Sequence, residues 1–342
     1  MKIKLEYIWL DGETLEPNLR SKTKVWEWSP NETPEFNEKR KFGQGPCPEE
    51  LPLWDFDGTT DCILKPVRVK VDSERKVSFF VMCEVLNIDG TPHESNNRHL
   101  IESEKDSKND CWFSFDQEYV FKQNGVFLGY TTINCINKPK YENYCGIGVK
   151  NVSGRDIVEE HLNQCLSAGL DITGVNSESL MGQWGYQLFG KGAKETSDDL
   201  WISRYILLRI AEKYGVEVSF KRKPFISDTG INKLCVKFSN SIMREIGGEQ
   251  IFLTILHHLK YRHDEFINNY GVTQTLSSVN FNWGSDKDVS ILIPHTTVKN
   301  NWLGYLEDRR PSSDSDPYKI TKLLTEVLYE LNETLVLGDG IK

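Results

Sequence analysis

Three groups of acidic residues fall on or beside segments with the composition of β-strands. They are Asp116 with Glu118, Glu178, and Glu307 with Asp308. Asp116 and Glu118 lie two residues apart in the alternating run FSFDQEYVF, a spacing that puts both carboxylates on one face of a strand. Converging carboxylates raise each other's pKa unless a cation lies between them, and clusters of oxygen donors suit Mg²⁺ or Mn²⁺. The pattern predicts a divalent-metal site, although composition alone favours the alternative of an ordinary solvated strand face.

Two arginines follow the last of these acidic groups. Arg309 and Arg310 stand in the run GYLEDRRPSSDSDPY, directly before a proline. Adjacent guanidinium groups can make bidentate contacts to phosphate or carboxylate, and a solvent-facing cluster of salt bridges is the alternative. The sequence has no phosphate loop, dinucleotide fingerprint or GxSxG elbow. The carboxylates and arginines are therefore the main candidates for chemistry.

Composition excludes several functional classes. Of 342 residues, 38% are hydrophobic and 27% charged, and the excess of 50 acidic over 41 basic residues gives a net charge of -9. This acidity, with a pI of about 5.4, argues against nucleic-acid binding. No segment approaches the ~20 apolar residues of a membrane span or resembles a secretory leader. Eight cysteines without a CxxC pair predict free thiols in a cytoplasmic protein, ahead of a zinc site or a disulfide framework.

The order of the predicted elements indicates an α+β fold. The first ~105 residues alternate β-rich runs with loops, which predicts a sheet. A charged stretch over 102–110 then marks a domain boundary. Beyond it, strands that include VEVSFKRKPF and DVSILIP alternate with amphipathic helices. The predicted helices include GRDIVEEHLNQCLSAGL, SDDLWISRYILLRIAEKYG and GEQIFLTILHHLKYRHDEFINNYG (248–271). Polar alternation within the strands favours a sheet with one open face over a fully buried parallel sheet.

A set of longer strings carries a family resemblance. They include LPLWDFDGTT (51–60), VMCEVLNIDGTPHESNNRH (81–99), WFSFDQEYVF (112–121), CGIGVKNVSGRDIVEEHLNQCLSAGL (145–170), GVNSESLMGQWGYQ (174–187) and GYLEDRRPSSDSDPY (304–318). In these strings and their order, the chain resembles the class II, eukaryotic-type glutamine synthetases over nearly its whole length. Such agreement across many motifs is far more specific than any one of them.

The resemblance implies an architecture and a reaction. It implies an N-terminal β-grasp domain over 1–105, a catalytic α+β domain over 106–342, and a homo-oligomeric ring with active sites between neighbouring subunits. It also implies that ATP phosphorylates the side-chain carboxylate of glutamate and that ammonia then displaces phosphate, with Mg²⁺ or Mn²⁺ neutralising phosphate charge. The expected partners are ATP and a small carboxylate or amine substrate, with no nucleic acid and no membrane.

Several positions match the family's functional residues. Those matching metal-binding carboxylates are Asp116, Glu118, Glu178 and Glu307. Arg309 matches an arginine that reaches the substrate, and Lys287 aligns near a nucleotide-facing arginine. Asp57 matches the aspartate that attracts and deprotonates ammonium across the subunit interface. The resemblance therefore assigns catalytic roles to Asp57 and Arg309 and nucleotide contacts to Arg309 and Lys287.

Other positions depart from the family pattern. Gly185 stands in place of a metal-binding carboxylate, and Cys235 in place of a metal-binding histidine. The segment aligned with the glutamate flap, NNYGVTQTLSSVNFNWG, is shorter than the family's and has no charged residue from Asn269 to Ser278. Leu292 replaces a nucleotide-facing arginine. Because thiols are poor ligands for Mg²⁺, these changes predict a weakened metal site.

Two functional hypotheses remain open at this stage. The retained carboxylates favour a diverged amide-forming ligase with an altered substrate or reduced activity. The lost flap charges and the change at Leu292 favour a non-catalytic paralogue that serves as a binding, regulatory or structural subunit of a ring. Ordinary glutamine synthesis is a third hypothesis, which the departures at Gly185 and Cys235 disfavour.

Overall fold

The N-terminal part of the chain forms a five-stranded sheet. The computed structural model describes residues 1–11, 18–29, 45–55, 62–130, 143–223, 232–271, 281–286 and 289–337, with side chains to residue 331. The strands of this first sheet are β1 (Lys2–Asp11), β2 (Asn18–Glu27), β3 (Trp54–Asp55), β4 (Cys62–Asp72) and β5 (Ser78–Asn87). Their order is β2-β1-β5-β4-β3, in which β1 and β5 are parallel and the other pairs antiparallel.

A second, larger sheet occupies the rest of the chain. Its strands are β6 (Trp112–Gln123), β7 (Val126–Phe127), β8 (Ile172–Ser177), β9 (Gln183–Lys191), β10 (Glu217–Ser219), β11 (Leu234–Ser239), β12 (Trp283–Gly284), β13 (Ile291–Leu292) and β14 (Leu306–Asp308). The order is β12-β13-β14-β11-β6-β9-β8, with β7 and β10 also paired to β6. The long strand β6 therefore lies between β11 and β9, and both neighbours run antiparallel to it.

Helices cover one side of the second sheet. They are α1 (Ser103–Asn109), α2 (Arg155–Ser167), α3 (Ala193–Tyr214), α4 (Glu249–Tyr261), α5 (His263–Asn269), α6 (His295–Lys299) and α7 (Pro317–Leu337). Short 3-10 turns span Pro48–Glu50 and Arg98–Leu100, and a π-helical turn spans Ile242–Ile246. The long helix α3 ends where Gly215 takes a left-handed conformation with φ of 65°, which glycine adopts without strain.

Alternation along the strands places the core under one face of the second sheet. Phe113 and Phe115 on β6 are buried, together with Val236 on β11 and residues of α3 and α7 such as Ile206 and Leu324. Ser114, Asp116 and Glu118 on the same strand are only half-buried. The second sheet thus has one apolar face against helices and one open polar face, which confirms the predicted α+β class.

The structure refines several predicted elements. The helix expected across 248–271 is broken at Arg262, which lies between the end of α4 at Tyr261 and the start of α5 at His263. The strand expected after Gly215 is reduced to three residues, and the run DVSILIP contributes only Ile291–Leu292. The charged stretch proposed as a domain boundary forms helix α1, which packs against α7.

The described residues bear on two predictions, one about membrane spans and one about the cysteines. Of the helices formed by these residues, none is long and apolar enough to cross a membrane. Seven of the eight cysteines lie within the described ranges, and Cys135 lies outside them. No disulfide links any two cysteines in the part of the chain that the structure describes.

Candidate active site on the open sheet face

Strand pairing gathers the predicted acidic residues on the open face of the second sheet. Asp116 is directly opposite Cys235 of β11, and Glu118 is directly opposite Gly185 of β9. Residues directly opposite each other in antiparallel strands project to the same face. We call this surface the carboxylate face, and its members are Asp116, Glu118, Asn176, Glu178, Gly185, Gln187, Cys235, Lys237, Leu292, Glu307 and Arg309.

The residue between the two β6 carboxylates anchors the strand from behind. Gln117 is fully buried on the helix-covered side. Its side-chain oxygen accepts hydrogen bonds from Nε and Nη2 of Arg204 at 2.9 and 2.6 Å, and its amide donates to the Ser313 carbonyl at 3.0 Å. Arg204 itself is buried and also donates to the carbonyl of Ser315. This network ties β6 to the segment after β14 and so fixes the backbone that carries Asp116 and Glu118.

Amide side chains hold the carboxylates in place. Asn176 donates to Glu178 Oε1 at 2.6 Å, and Gln187 donates to Asp116 Oδ1 at 2.9 Å and to Asn176 Oδ1 at 3.2 Å. Glu118 Oε2 accepts a hydrogen bond from the backbone N–H of Lys233 at 3.0 Å. Neutral amides orient these oxygens without removing their negative charge, so the charge still requires a cation.

The Glu-Asp-Arg-Arg run divides between the two sides of the sheet. Arg309 donates from Nε to Glu307 Oε1 at 2.7 Å, and both lie on the carboxylate face. Asp308 and Arg310 turn to the other side, where both are buried and Arg310 Nη2 lies 2.7 Å from Asp308 Oδ2. Tyr270 also donates to Asp308 Oδ2 at 2.6 Å. Arg310 and Asp308 thus form a buried structural ion pair, so Arg309 is the arginine of this run that lies on the carboxylate face, and the run is not the solvent-facing cluster given as the alternative.

The departures from the family pattern also converge here. A Cβ at Gly185 would lie 3.2 Å from Glu178 Oε1 and 3.7 Å from Asp116 Oδ1, so both carboxylates approach this glycine closely and even a methyl group there would be crowded. Cys235 lies beside Asp116, and Leu292 is directly opposite Glu307. The changed positions and the retained carboxylates therefore belong to one surface.

Burial and mutual repulsion disfavour the charged form of the central carboxylates. Burial, then repulsion from Glu178, raises the pKa of Glu118 to about 8. Burial, and after it the charge of Asp116, raises the pKa of Glu178 to about 7. Burial also raises the pKa of Asp116, and burial with the surrounding carboxylates raises that of the Cys235 thiol. At neutral pH the thiol is therefore protonated, and Glu118 ionises fully only when a cation offsets its charge.

The donor chemistry of this face suits a hard divalent cation. Carboxylate and amide oxygens are the ligands that Mg²⁺ and Mn²⁺ prefer, and the raised pKa values show uncompensated negative charge. Within the described ranges, however, no three His, Cys, Asp or Glu side chains are gathered closely enough to hold an ion. Gly185, which lies beside Glu178 and Asp116, contributes no side-chain donor to this set of ligands. The residues fit a divalent ion in charge and donor type, but the ligand set is incomplete.

Comparison with known proteins shows the family to which this chain is related. Residues 97–239 match the family model described as "Glutamine synthetase, catalytic domain". The chain is 40% identical to a glutamine synthetase of Bradyrhizobium diazoefficiens, over 96% of each chain, and 39% identical to one of Rhizobium meliloti, over 93% of this chain and 98% of that one. The chain belongs to the glutamine synthetase family. Its fold also resembles the solved structure titled "Apo GmaS without ligand", with a TM-score of 0.70, 16% identity, and coverage of 97% of this chain and 78% of that one.

Some of the predicted glutamine synthetase site residues lie in parts of the chain that the structure does not describe. Asp57 and Lys287 lie outside the described residues, as does the part of the flap segment from 272 to 278. Two surface depressions, of about 620 and 380 Å³, lie around helix α2 and contain none of the carboxylate-face residues. Their positions do not bear on the chemistry of the carboxylate face.

Sequence reasoning missed several members of this glutamine synthetase-like face. Asn176 and Gln187 were not singled out, although each lies at an even spacing from a predicted site position, Glu178 or Gly185. Lys237 was also missed, although it follows Cys235 by two residues and therefore shares its face of β11. The period-two spacing of strands was the signal that could have identified all three.

Proposed function

We propose that the protein is an ATP- and metal-dependent ligase of the class II glutamine synthetase type, with an altered substrate or reduced activity. It forms an amide through an acyl phosphate. The observation that supports this most directly is the convergence of Asp116, Glu118 and Glu178 around Gly185. A surface with no need for a cation would gain stability by losing these buried, mutually repelling charges.

The proposed reaction has two steps. The γ-phosphoryl group of ATP passes to a substrate carboxylate oxygen, giving ADP and an acyl phosphate. An amine nitrogen then attacks the acyl carbon, phosphate leaves with the bonding electrons, and the nitrogen loses a proton. A bound Mg²⁺ or Mn²⁺ supplies charge neutralisation and Lewis acidity.

The chain's own residues provide binding and orientation for this reaction. Asp116, Glu118, Glu178 and Glu307 are the proposed metal ligands. Arg309, whose guanidinium is oriented by Glu307, is proposed to hold the transferred phosphoryl group. Asp57 is proposed to accept the proton of the amine from the neighbouring subunit, and Lys287 to contact the nucleotide.

The departures support a change in specificity or rate. Gly185 contributes no side-chain donor between Glu178 and Asp116, where the resemblance places a metal-binding carboxylate. Cys235 offers a protonated thiol where a nitrogen ligand is expected, which weakens Mg²⁺ binding. The flap sequence is shorter than the family's and has no charged residue to attract ammonium, so we expect an amine other than ammonia to be the better nucleophile.

ATP-dependent amide formation tests this proposal. ADP release is measured with glutamate and Mn²⁺, with ammonia or a series of primary alkylamines as nucleophile, and hydroxylamine is used to trap the acyl phosphate as a hydroxamate. We expect at least one alkylamine to exceed ammonia by about tenfold in kcat/KM, a difference of about 1.4 kcal/mol in transition-state binding. A Glu118→Gln variant is the control for metal-dependent turnover.

A second hypothesis is a non-catalytic ring subunit. Leu292, opposite Glu307, favours it because an apolar side chain lies where the family pattern places a cation near the nucleotide. If no amine supports ADP release and no hydroxamate forms while ATP still binds, the ligase proposal is wrong and this second one is supported.

We also propose that the protein assembles into a homo-oligomeric ring. The strings WDFDGTT and NNRH, which resemble the family's subunit-contact motifs, support this proposal. In such a ring Asp57 of one subunit is expected to lie beside Glu178 of the next. Light scattering at micromolar concentration should give a mass several times the 39.4 kDa of the chain. A monomer under these conditions would contradict the proposal.

A further inference from the structure

Lysine side chains join the two edge strands of the first sheet. In the order β2-β1-β5-β4-β3, the strands β2 and β3 lie at opposite edges. Lys22 of β2 nevertheless contacts both residues of β3, because its Nζ lies 3.9 Å from the centre of the Trp54 ring and donates a hydrogen bond to the carbonyl oxygen of Asp55. The first sheet is therefore curled enough for its two edges to approach each other, with Lys22 between them.

The Trp54 ring is held from several directions. Nζ of Lys24, two residues after Lys22 on the same face of β2, lies 4.4 Å from the ring centre. Tyr7 of β1, directly opposite Lys22, packs edge-on against Trp54 with the ring centres 5.2 Å apart. The Tyr7 hydroxyl also donates a hydrogen bond to the Pro52 carbonyl at 2.6 Å. The face formed by β1 and β2 thus fixes both the ring and the backbone that precedes it.

Lys22 differs from Lys24 because it also binds the backbone at the end of β3. An ammonium group has three donors, so Lys22 can lie over the indole ring and still donate to a carbonyl oxygen. Lys24 shares the ring, but within the described part of the chain it makes no hydrogen bond to Asp55. Asp55 is the last residue of β3, and Asp57 follows it by two residues in the sequence. Lys22 therefore fixes the point from which the chain leaves the sheet toward Asp57.

We propose that Lys22 is a positioning residue for Asp57, acting through its bond to the Asp55 carbonyl and its contact with Trp54. The inference rests on the proposed function, in which Asp57 accepts the proton of the amine. A proton acceptor works only within hydrogen-bond reach of the proton that it takes, and a small displacement lowers the rate strongly. The chain that leads to such a group must therefore start from a fixed backbone, and Lys22 provides this.

Turnover with two kinds of nucleophile separates a positioning role from a structural one. An alkylammonium ion must lose a proton to react, whereas hydroxylamine is largely the free base at neutral pH and depends less on a proton acceptor. We expect Lys22→Met to lower kcat/KM for an alkylamine about tenfold at neutral pH and to change ATP-dependent hydroxamate formation less than about twofold. The loss should shrink as the pH is raised, because more of the amine is then the free base.

A double-variant cycle tests whether Lys22 acts through Asp57. Asp57→Asn should show the same selective loss with alkylamines. If the two residues act on one step, Lys22→Met combined with Asp57→Asn should lose no more than Asp57→Asn alone. Lys22→Arg retains a cation with hydrogen-bond donors and should restore most of the activity.

Hydrogen exchange measures the same contact without turnover. Mass spectrometry of peptides that cover 51–62 should show about tenfold faster exchange around Asp55 in Lys22→Met, since a hydrogen bond from a charged donor is lost. Lys24→Met is the matched control, because it removes an ammonium group from the same ring and leaves the bond to Asp55 in place. Its exchange and turnover should stay within about twofold of the unmodified protein. Thermal unfolding establishes that each variant is folded, and Lys22→Gln replaces Lys22→Met if the latter does not fold.

The outcomes separate this inference from the proposed function. Unchanged exchange in Lys22→Met, equal losses with alkylamines and hydroxylamine, or a loss that adds to that of Asp57→Asn would overturn the inference and leave the proposed ligase function intact. A complete lack of hydroxamate formation by the unmodified protein would instead overturn the proposed function, and the positioning role of Lys22 with it.

Discussion

The double variant Glu118→Gln/Glu178→Gln should lose Mn²⁺ affinity by about 100-fold or more. These two carboxylates have the most strongly raised pKa values on the face, about 8 and about 7, because they are buried and repel each other. Even groups that only orient a metal ligand contribute about 10- to 100-fold in affinity, so two ligands together should contribute at least that much. Isothermal titration with Mn²⁺ measures the change.

The same pair predicts a pH dependence of metal binding. Because the pKa of each carboxyl is raised, protons compete with the ion below about pH 8, and the affinity of the unmodified protein should fall by at least about tenfold from pH 8 to pH 6. Binding should release protons to the buffer at pH 7. In the double variant the contributions of these two carboxyls to both effects should be lost, since glutamine does not titrate.

A charge-matched control excludes an effect of net charge. Glu104 and Glu212 have side chains that are 78% and 70% exposed, and their replacement by glutamine removes the same total charge. This control should bind Mn²⁺ like the parent. Unchanged binding by the Glu118/Glu178 variant would mean that the metal site is assigned to the wrong residues.

Glutamine formation from glutamate, ammonia and ATP should be about 100-fold or more below that of the Bradyrhizobium diazoefficiens relative. Loss of one preorganised group that stabilises transition-state charge commonly costs about 10²–10³ in rate. Here Gly185, Cys235 and Leu292 all lie on the carboxylate face, and the resemblance predicts a metal ligand or an arginine at each of these positions. Their effects need not add, because they act on one transition state.

Restoring two donors should separate metal binding from turnover. Gly185→Glu with Cys235→His should raise Mn²⁺ affinity by about tenfold, since a carboxylate beside Glu178 and an imidazole beside Asp116 complete the ligand set. Glutamine formation should rise by less, because Leu292 and the uncharged flap sequence remain. The control variant is Gly185→Gln with Cys235→Ser. Glutamine at position 185 has about the size of glutamate but adds no charge.

A contrary result would be informative about the alignment. Glutamine formation by the unmodified protein at the rate of the relative would contradict both the altered-substrate and the non-catalytic hypotheses. It would show that Gly185 and Cys235 do not occupy ligand positions in the assembled protein, or that residues outside the described ranges supply the missing donors.

The sequence by itself determined the family, the α+β class and half of the candidate site. The spacing of Asp116 and Glu118 was enough to place both on one strand face, because side chains alternate with a period of two. The same period separates Glu307 from Asp308, which are adjacent and must face opposite sides. By the same rule Arg309 shares the face of Glu307, and Arg310 shares the opposite face with Asp308.

Only the tertiary structure decided which side chains meet across strands. Glu178 and Asp116 both lie near Gly185 because β9 pairs with β6 and β8 in a particular register, and Lys237 is directly opposite Glu307 because β14 pairs with β11. Register depends on pairing between segments about 70 to 120 residues apart, and a shift of one residue would turn each side chain to the other face. The surroundings of Gly185 and Lys237 therefore cannot be predicted from the nearby sequence, because their neighbours on the carboxylate face lie on other strands.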